Sequence, residues 1–215
     1  MLQPTNRTFI RAKRFIGFVR DKFVEFYYSC VERKLTRSFS VASHLTYSER
    51  SKLLKLSRNR ASIVEIGSYT GASACCFGAA LKEQGAGKLI CIDTWNNDAM
   101  TEGCRDTWGE FQDNTIEYKN FIMPIRGFST DVVEAVRKIT RRIDLLFIDG
   151  DHSYSAVKAD WDTYKNFLVP GSIVIFHDYG WAAGVRRLVH EDVMDLVSNN
   201  ESLPNMWWGQ IGQLP

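Results

Sequence analysis

Five short apolar runs punctuate the chain: "SIVEIG" (62–67), "KLICID" (88–93), "FIMPIRG" (121–127), "IDLLFID" (143–149) and "SIVIFHD" (172–178). Helical stretches lie between and after them near 72–84, 105–119, 130–140, 153–168 and 182–197. A strand without polar alternation is covered on both faces, and strands separated by helices pair in parallel because each connection must cross back over the sheet. The pattern predicts an α/β fold, a doubly wound, mostly parallel sheet with helices on both faces. "NMWWGQIG" near the carboxyl end adds one more strand, antiparallel and at an edge. A chain of 215 residues can bury such a core without disulfides. Its five cysteines lack C-x-x-C spacing and sit mostly in apolar runs, which reads as reduced core thiols of a cytoplasmic protein.

The charge is divided unevenly. The first 60 residues hold 14 Lys/Arg against 4 Asp/Glu, leaving 13 against 21 in the remainder. Within Phe9–Val31, Phe15, Val19, Phe23, Phe26 and Cys30 recur at helical spacing among Arg11, Lys13, Arg14, Arg20 and Lys22, so a basic amphipathic helix is expected there. Such a helix packs on its own domain or on a sister subunit in a homodimer; the sharper reading is a membrane-surface contact. No nucleic-acid reading motif accompanies it. No apolar run is long enough for a membrane span, and the early charges interrupt any signal peptide. Thr46 or Ser48 is a plausible cap for a helix running to Leu56. Residues 1–58 are accordingly expected as a basic helical extension and 59–215 as the sheet domain.

In open α/β sheets ligands bind beyond the carboxyl ends of the strands. The first strand carries Glu65 and runs into "GSYTGAS", where Gly67 and Gly71 permit a tight turn and the helix from Ala72 offers free N–H groups beside Ser73. The spacing is G-x-x-x-G rather than the dinucleotide G-x-G-x-x-G, and the preceding carboxylate suits a ligand bearing an ammonium or a sulfonium. Asp93 ends the second strand, where an acid accepts hydrogen bonds from ribose hydroxyls, and Trp95 is placed to cover an adenine face. Trp108 and Phe111, at helical spacing, read as core.

"VEIGSYTGAS", "ICIDTW", "IRGFSTDV", "LLFIDGDHSY" and "PGSIVIFHDYGW", in that order over residues 60–190, resemble the class I S-adenosylmethionine-dependent methyltransferases with their Rossmann-like fold. Within them the chain is most similar to the small-molecule O-methyltransferases and the cephalosporin hydroxylase-like group. The resemblance implies that Glu65, Gly67, Ser68, Tyr69, Gly71 and Ser73 surround the methionine part of the cofactor. It places Asp93 at the ribose, with Thr94 and Trp95 next to it in the cofactor site, Gly127, Phe128 and Ser129 beside the adenine, and Asp149 at the amino-acid end.

Methylating a hydroxyl requires a proton acceptor or a Lewis acid. The resemblance to metal-dependent relatives implies Asp149 and Asp178 as ligands of Mg²⁺ or another divalent cation, with Asp178 flanked by either His177 or Tyr179. A neutral His177 would be a softer ligand that tolerates Mn²⁺, Fe²⁺ or Zn²⁺. Without metal, His152 is the preferred base, oriented by Asp151 or Asp178; alternatively Asp151 only caps the following helix. The catalytic candidates are therefore His152, Asp151 and His177, with Tyr179 and Trp181 bordering a small-molecule acceptor. A nicotinamide-dependent oxidoreductase and a non-catalytic cofactor-binding module stand as the alternatives.

Overall fold

The computed structural model describes residues 23–24, 26–96 and 103–212. Most of the expected basic helix lies outside them. The described chain forms one seven-stranded sheet: β1 (Ser62–Ile66), β2 (Lys88–Asp93), β3 (Ile122–Arg126), β4 (Ile143–Ile148), β5 (Leu168–His177), β6 (Val197–Leu203) and β7 (Met206–Ile211). The order is β3-β2-β1-β4-β5-β7-β6. The first five strands are parallel, while β7 runs antiparallel to both β5 and β6. The doubly wound α/β expectation holds. Among the described residues no helix is long and apolar enough to cross a membrane.

Alternation of side chains along the central strands divides the core in two. Ile63, Leu89, Cys91, Leu145, Phe147 and Ile175 face Leu53, Leu54, Phe77 and Leu81 from helices Tyr47–Ser57 and Ala72–Gln84. Their neighbours Val64, Ile66, Ile90, Leu146, Ile148 and Val174 face Val136, Val157, Trp161 and Val185 from the helices on the other side. Pro124 lies in β3, where its missing N–H does no harm because β3 is an edge strand.

Two expectations at the carboxyl end change. "NMWWGQIG" does form an antiparallel strand, but β7 is internal, covered by β6. The helix expected to 197 keeps α geometry only over Ala183–Leu188, passes through a π turn at Val189–Val193, and gives way to β6. The polar stretch "VSNNESL" has no apolar alternation because it is an exposed edge that buries almost nothing.

The amino-terminal segment from Leu35 shares the first core. Ser38 Oγ donates to Ala72 O at 2.7 Å, and buried Arg50 reaches Leu45 O and Val41 O, each at 3.1 Å. Thr46 and Glu49 form a reciprocal cap: Thr46 Oγ1 accepts from the Glu49 amide at 3.3 Å, and the Thr46 amide donates to Glu49 Oε2 at 2.7 Å. Thr46→Ala should lower stability by about 1 kcal/mol in chemical denaturation.

Candidate active site

A cleft of about 900 Å³ opens beyond the carboxyl ends of the central strands. It lies where the strand order reverses, between β1 with β2 on one side and β4 with β5 on the other. Its floor is the loop after β1. Gly67 has φ +84°, and a Cβ there would stand 2.0 Å from Asp149 O, so only glycine lets this loop lie against the end of β4. Asp93 fixes the same loop from the other side: its Oδ2 accepts the Ser68 and Tyr69 amides, each at 2.8 Å, and its Oδ1 accepts the Trp95 amide at 2.6 Å. Tyr69, Trp95 and Asp178 all take left-handed backbone angles (φ 45°, 53° and 58°), strain concentrated at three strand ends around one cavity.

Ser68, Tyr69, Ser73, Asp93, Thr94, Gly127, Phe128, Ser129 and Asp149 line this cleft, as does Gly67. Three expected contacts do not reach it. Trp95 is fully buried against Trp108 and Phe111, at ring distances of 4.6 and 4.8 Å, and its Nε1 donates to Tyr69 O. The indole that was to cover a ligand instead props the loop from beneath. Gly71 turns the chain into the helix at φ +92° and packs on Thr115. Glu65 sits one layer back, bonded to Ser68 Oγ at 2.7 Å, with Oε1 meeting no described donor; burial pushes its carboxyl up to about 7.

The charged end of the cleft is built from β4 and β5. Asp178 is its hub: Oδ2 lies 2.7 Å from His152 Nε2, while Oδ1 accepts from Trp181 Nε1 at 2.7 Å and Asn205 Nδ2 at 2.9 Å, with His177 Nδ1 at 3.2 Å. Burial alone would raise the Asp178 pKa, but His152, His177 and Asn205 hold it far below the ordinary range. The hydrogen bond to Asp178 raises His152.

His177 lines the cleft at the end of β5, set among carboxylates. Its Nδ1 lies 3.0 Å from Asp149 Oδ1 and its Nε2 faces Glu49 Oε2 at 3.7 Å, so both nitrogens point at carboxylates. Burial favours the neutral ring, yet Asp149, Asp178 and Glu49 outweigh it and push its pKa up to about 12. The buried ring lies among three acids, and their charges favour its protonated form. Asp151 lines the cleft but accepts the Ser153 amide at 2.6 Å, which lowers its pKa; Ser153 then caps the helix. The orienting acid for His152 is Asp178.

Sequence reasoning missed Glu49, Asn205, Asp160 and the wall formed by Ser43, His44 and Leu45. Only Glu49 carried a local signal, as the acid three residues after the cap Thr46; the others reach the cleft from distant elements. Gly184 carries a further constraint, since a Cβ there would stand 2.4 Å from the Tyr154 amide and 2.5 Å from His152 O. The loops after β4 and β5 therefore touch backbone to helix.

A sequence model described as a methyltransferase domain matches residues 64–179. The chain belongs to this methyltransferase family. An uncharacterized protein of Sinorhizobium fredii is 32% identical over 119 residues, 54% of this methyltransferase but 13% of that longer protein. An uncharacterized protein of Acanthamoeba polyphaga mimivirus is 23% identical over 197 residues, 88% of this chain and 80% of its own. Among solved structures, the O-methyltransferase NovP superposes with a TM-score of 0.69 at 12% identity, covering 81% of this chain and 84% of that one. The O-methyltransferase TomG of Streptomyces achromogenes, solved with SAM, has a TM-score of 0.63 at 17% identity over 83% and 86% of the two chains. The MycE methyltransferase, solved with Mg and SAH, has a TM-score of 0.57 at 13% identity over 84% and 54%. At such identities the shared property is the fold.

Proposed function

We propose that the protein transfers the methyl group of S-adenosylmethionine to a hydroxyl of a small molecule. The observation that carries this reading is the division of one cleft into a glycine-turned, acid-anchored nucleoside end and a charged end where His152, Asp178 and Asp149 converge. The three amides on Asp93 leave one lone pair of Oδ1 for a ribose hydroxyl.

The protein's task is to hold an acceptor oxygen in line with the methyl carbon and sulfur, a positioning effect worth up to about 7–11 kcal/mol in ideal cases. The sulfur keeps the electron pair of the broken bond, and the acceptor's proton must leave. With His152 Nε2 bonded to Asp178, Nδ1 is the nitrogen left to take that proton, and Asp178 stabilises the resulting imidazolium.

One ligand atom each from Asp149, His152 and Asp178 also lie within 4.8 Å of one another, a donor set of two carboxylate oxygens and one imidazole that fits a divalent cation. His177 is not in that set; its nitrogens face Asp149 and Glu49. When bound, the cation supplies a Lewis acid that makes the acceptor hydroxyl more acidic. MycE, of the same fold, was solved with Mg.

Calorimetry with S-adenosylmethionine, S-adenosylhomocysteine and NAD tests the cofactor; binding of NAD alone would sink the proposal. Asp93→Ala should weaken S-adenosylhomocysteine by at least about tenfold, the worth of a hydrogen bond to a charged group. Methyl transfer to an acceptor panel, with and without a chelator, tests the chemistry. Activity lost with the chelator and restored by Mg²⁺ or Mn²⁺ assigns the cation; activity indifferent to it leaves His152 as the base.

A further inference from the structure

Asp160 is a buried acid in this cleft without a place in the chemistry above. It lies on helix Tyr154–Tyr164, is 7% exposed, and lines the cavity beside Gly150 and the loop 127–131. Its Oδ1 accepts a hydrogen bond from Ser129 Oγ, and Tyr164, one turn further on, donates to Ser129 O at 2.8 Å. One helix face thus clamps the loop after β3 at Ser129. Among the described residues no donor reaches Oδ2 and no Lys, Arg or His pairs with the carboxylate. Oδ2 lies just 3.5 Å from where a Cβ of Gly150 would be, so it stands at the cleft wall where a glycine leaves room.

Oδ2 is thus an acceptor open to the cleft, and a donor on a bound ligand can complete its hydrogen bonding. The surroundings favour a flat donor. Phe128, 61% exposed, offers an aromatic face on the same loop, against which a heterocycle can stack. An exocyclic amine at the edge of such a ring would point its N–H at the carboxylate, whereas an exocyclic carbonyl oxygen there would meet a second acceptor. Burial pushes the Asp160 carboxyl up to about 6, so at pH 7.5 it is still mainly an acceptor.

We propose that Asp160 recognises the 6-amino group of the cofactor's adenine through Oδ2 and so makes the cleft selective for adenosyl over 6-oxopurine nucleosides. This rests on the S-adenosylmethionine reading above and adds to it the residue that reads the base.

The test is isothermal calorimetry of the full chain at pH 7.5 with three ligands: S-adenosylhomocysteine, S-inosylhomocysteine, and the N6,N6-dimethyl analogue of S-adenosylhomocysteine. The wild-type protein should bind the first about 10- to 100-fold more tightly than either of the others, the range expected for loss of one charge-assisted hydrogen bond. Asp160→Asn presents an amide N–H in place of an acceptor, and the preference for adenine over hypoxanthine should shrink to within about threefold or reverse. Ser129→Ala removes the clamp but keeps the carboxylate, and should retain the preference even if both affinities fall. A purely structural Asp160 would weaken all three ligands alike in Asp160→Asn, and that result would overturn the inference. So would equal wild-type affinities, which need no variant to be folded. If S-adenosylhomocysteine does not bind the wild-type protein at all, the cofactor reading fails and this one with it.

Discussion

His177→Gln should destabilise the protein by about 3–5 kcal/mol, the cost of removing one partner from a buried ionic cluster. The ring is 3% exposed and lies against Asp149, Asp178 and Glu49. Glutamine fills much of the space but brings no charge, so three carboxylates would face one another across it. Urea denaturation at pH 7 measures the loss. The pH dependence distinguishes a charge from a packing role. A group whose pKa is raised by folding stabilises fully below its unfolded pKa, about 6.5 for histidine, and loses that contribution as pH rises towards its folded value. With His177 pushed up to about 12, wild-type stability should fall progressively above pH 6.5. The same titration of His177→Gln should be flatter in that window. An unchanged slope would mean that the ring is neutral in the folded protein and that the ionic account is wrong.

Gly67→Ala should be nearly as damaging, about 2–6 kcal/mol, and should abolish detectable cofactor binding in calorimetry. Two effects add: a positive φ that disfavours any side chain, and a methyl carbon placed 2.0 Å from Asp149 O. Gly85 separates them. It has φ +70° with nothing within 4 Å of the would-be Cβ, so Gly85→Ala carries the backbone cost alone, about 1 kcal/mol. A Gly67→Ala protein no less stable than Gly85→Ala would show that the loop can retreat from β4, and the close approach would lose its importance.

Much of this architecture is written in local sequence. The all-apolar strands announce a covered parallel sheet, and the helix at Ala72–Gln84 begins and ends where its flanking glycines place it. The edge strand β6 was illegible because it buries so little that no pattern is imposed on it. At the cleft, residues that end strands were legible because strand order alone carries them there. Trp95 misled because its neighbours in space, Trp108 and Phe111, lie one loop away and turn a surface aromatic into core. The setting of His177 was hidden for a similar reason: Asp149 and, more weakly, Glu49, which comes from 128 residues earlier in the chain, meet it only in the fold. Asp160 looks in sequence like any acid on a helix, and only the loop it meets gives it a distinct place.

The contact of Gly184 with the His152 loop has a consequence for how substrates are accommodated. Because the segments after β4 and β5 meet without an intervening side chain, the wall that carries Asp149, His152 and Asp178 cannot widen by sliding one segment from the other. Adaptation to acceptors of different shape then falls to the segment Ser43, His44 and Leu45, which lines the cleft from outside the sheet. Exchanging those side chains is a route to altered acceptor range that leaves the proton-handling groups where they are.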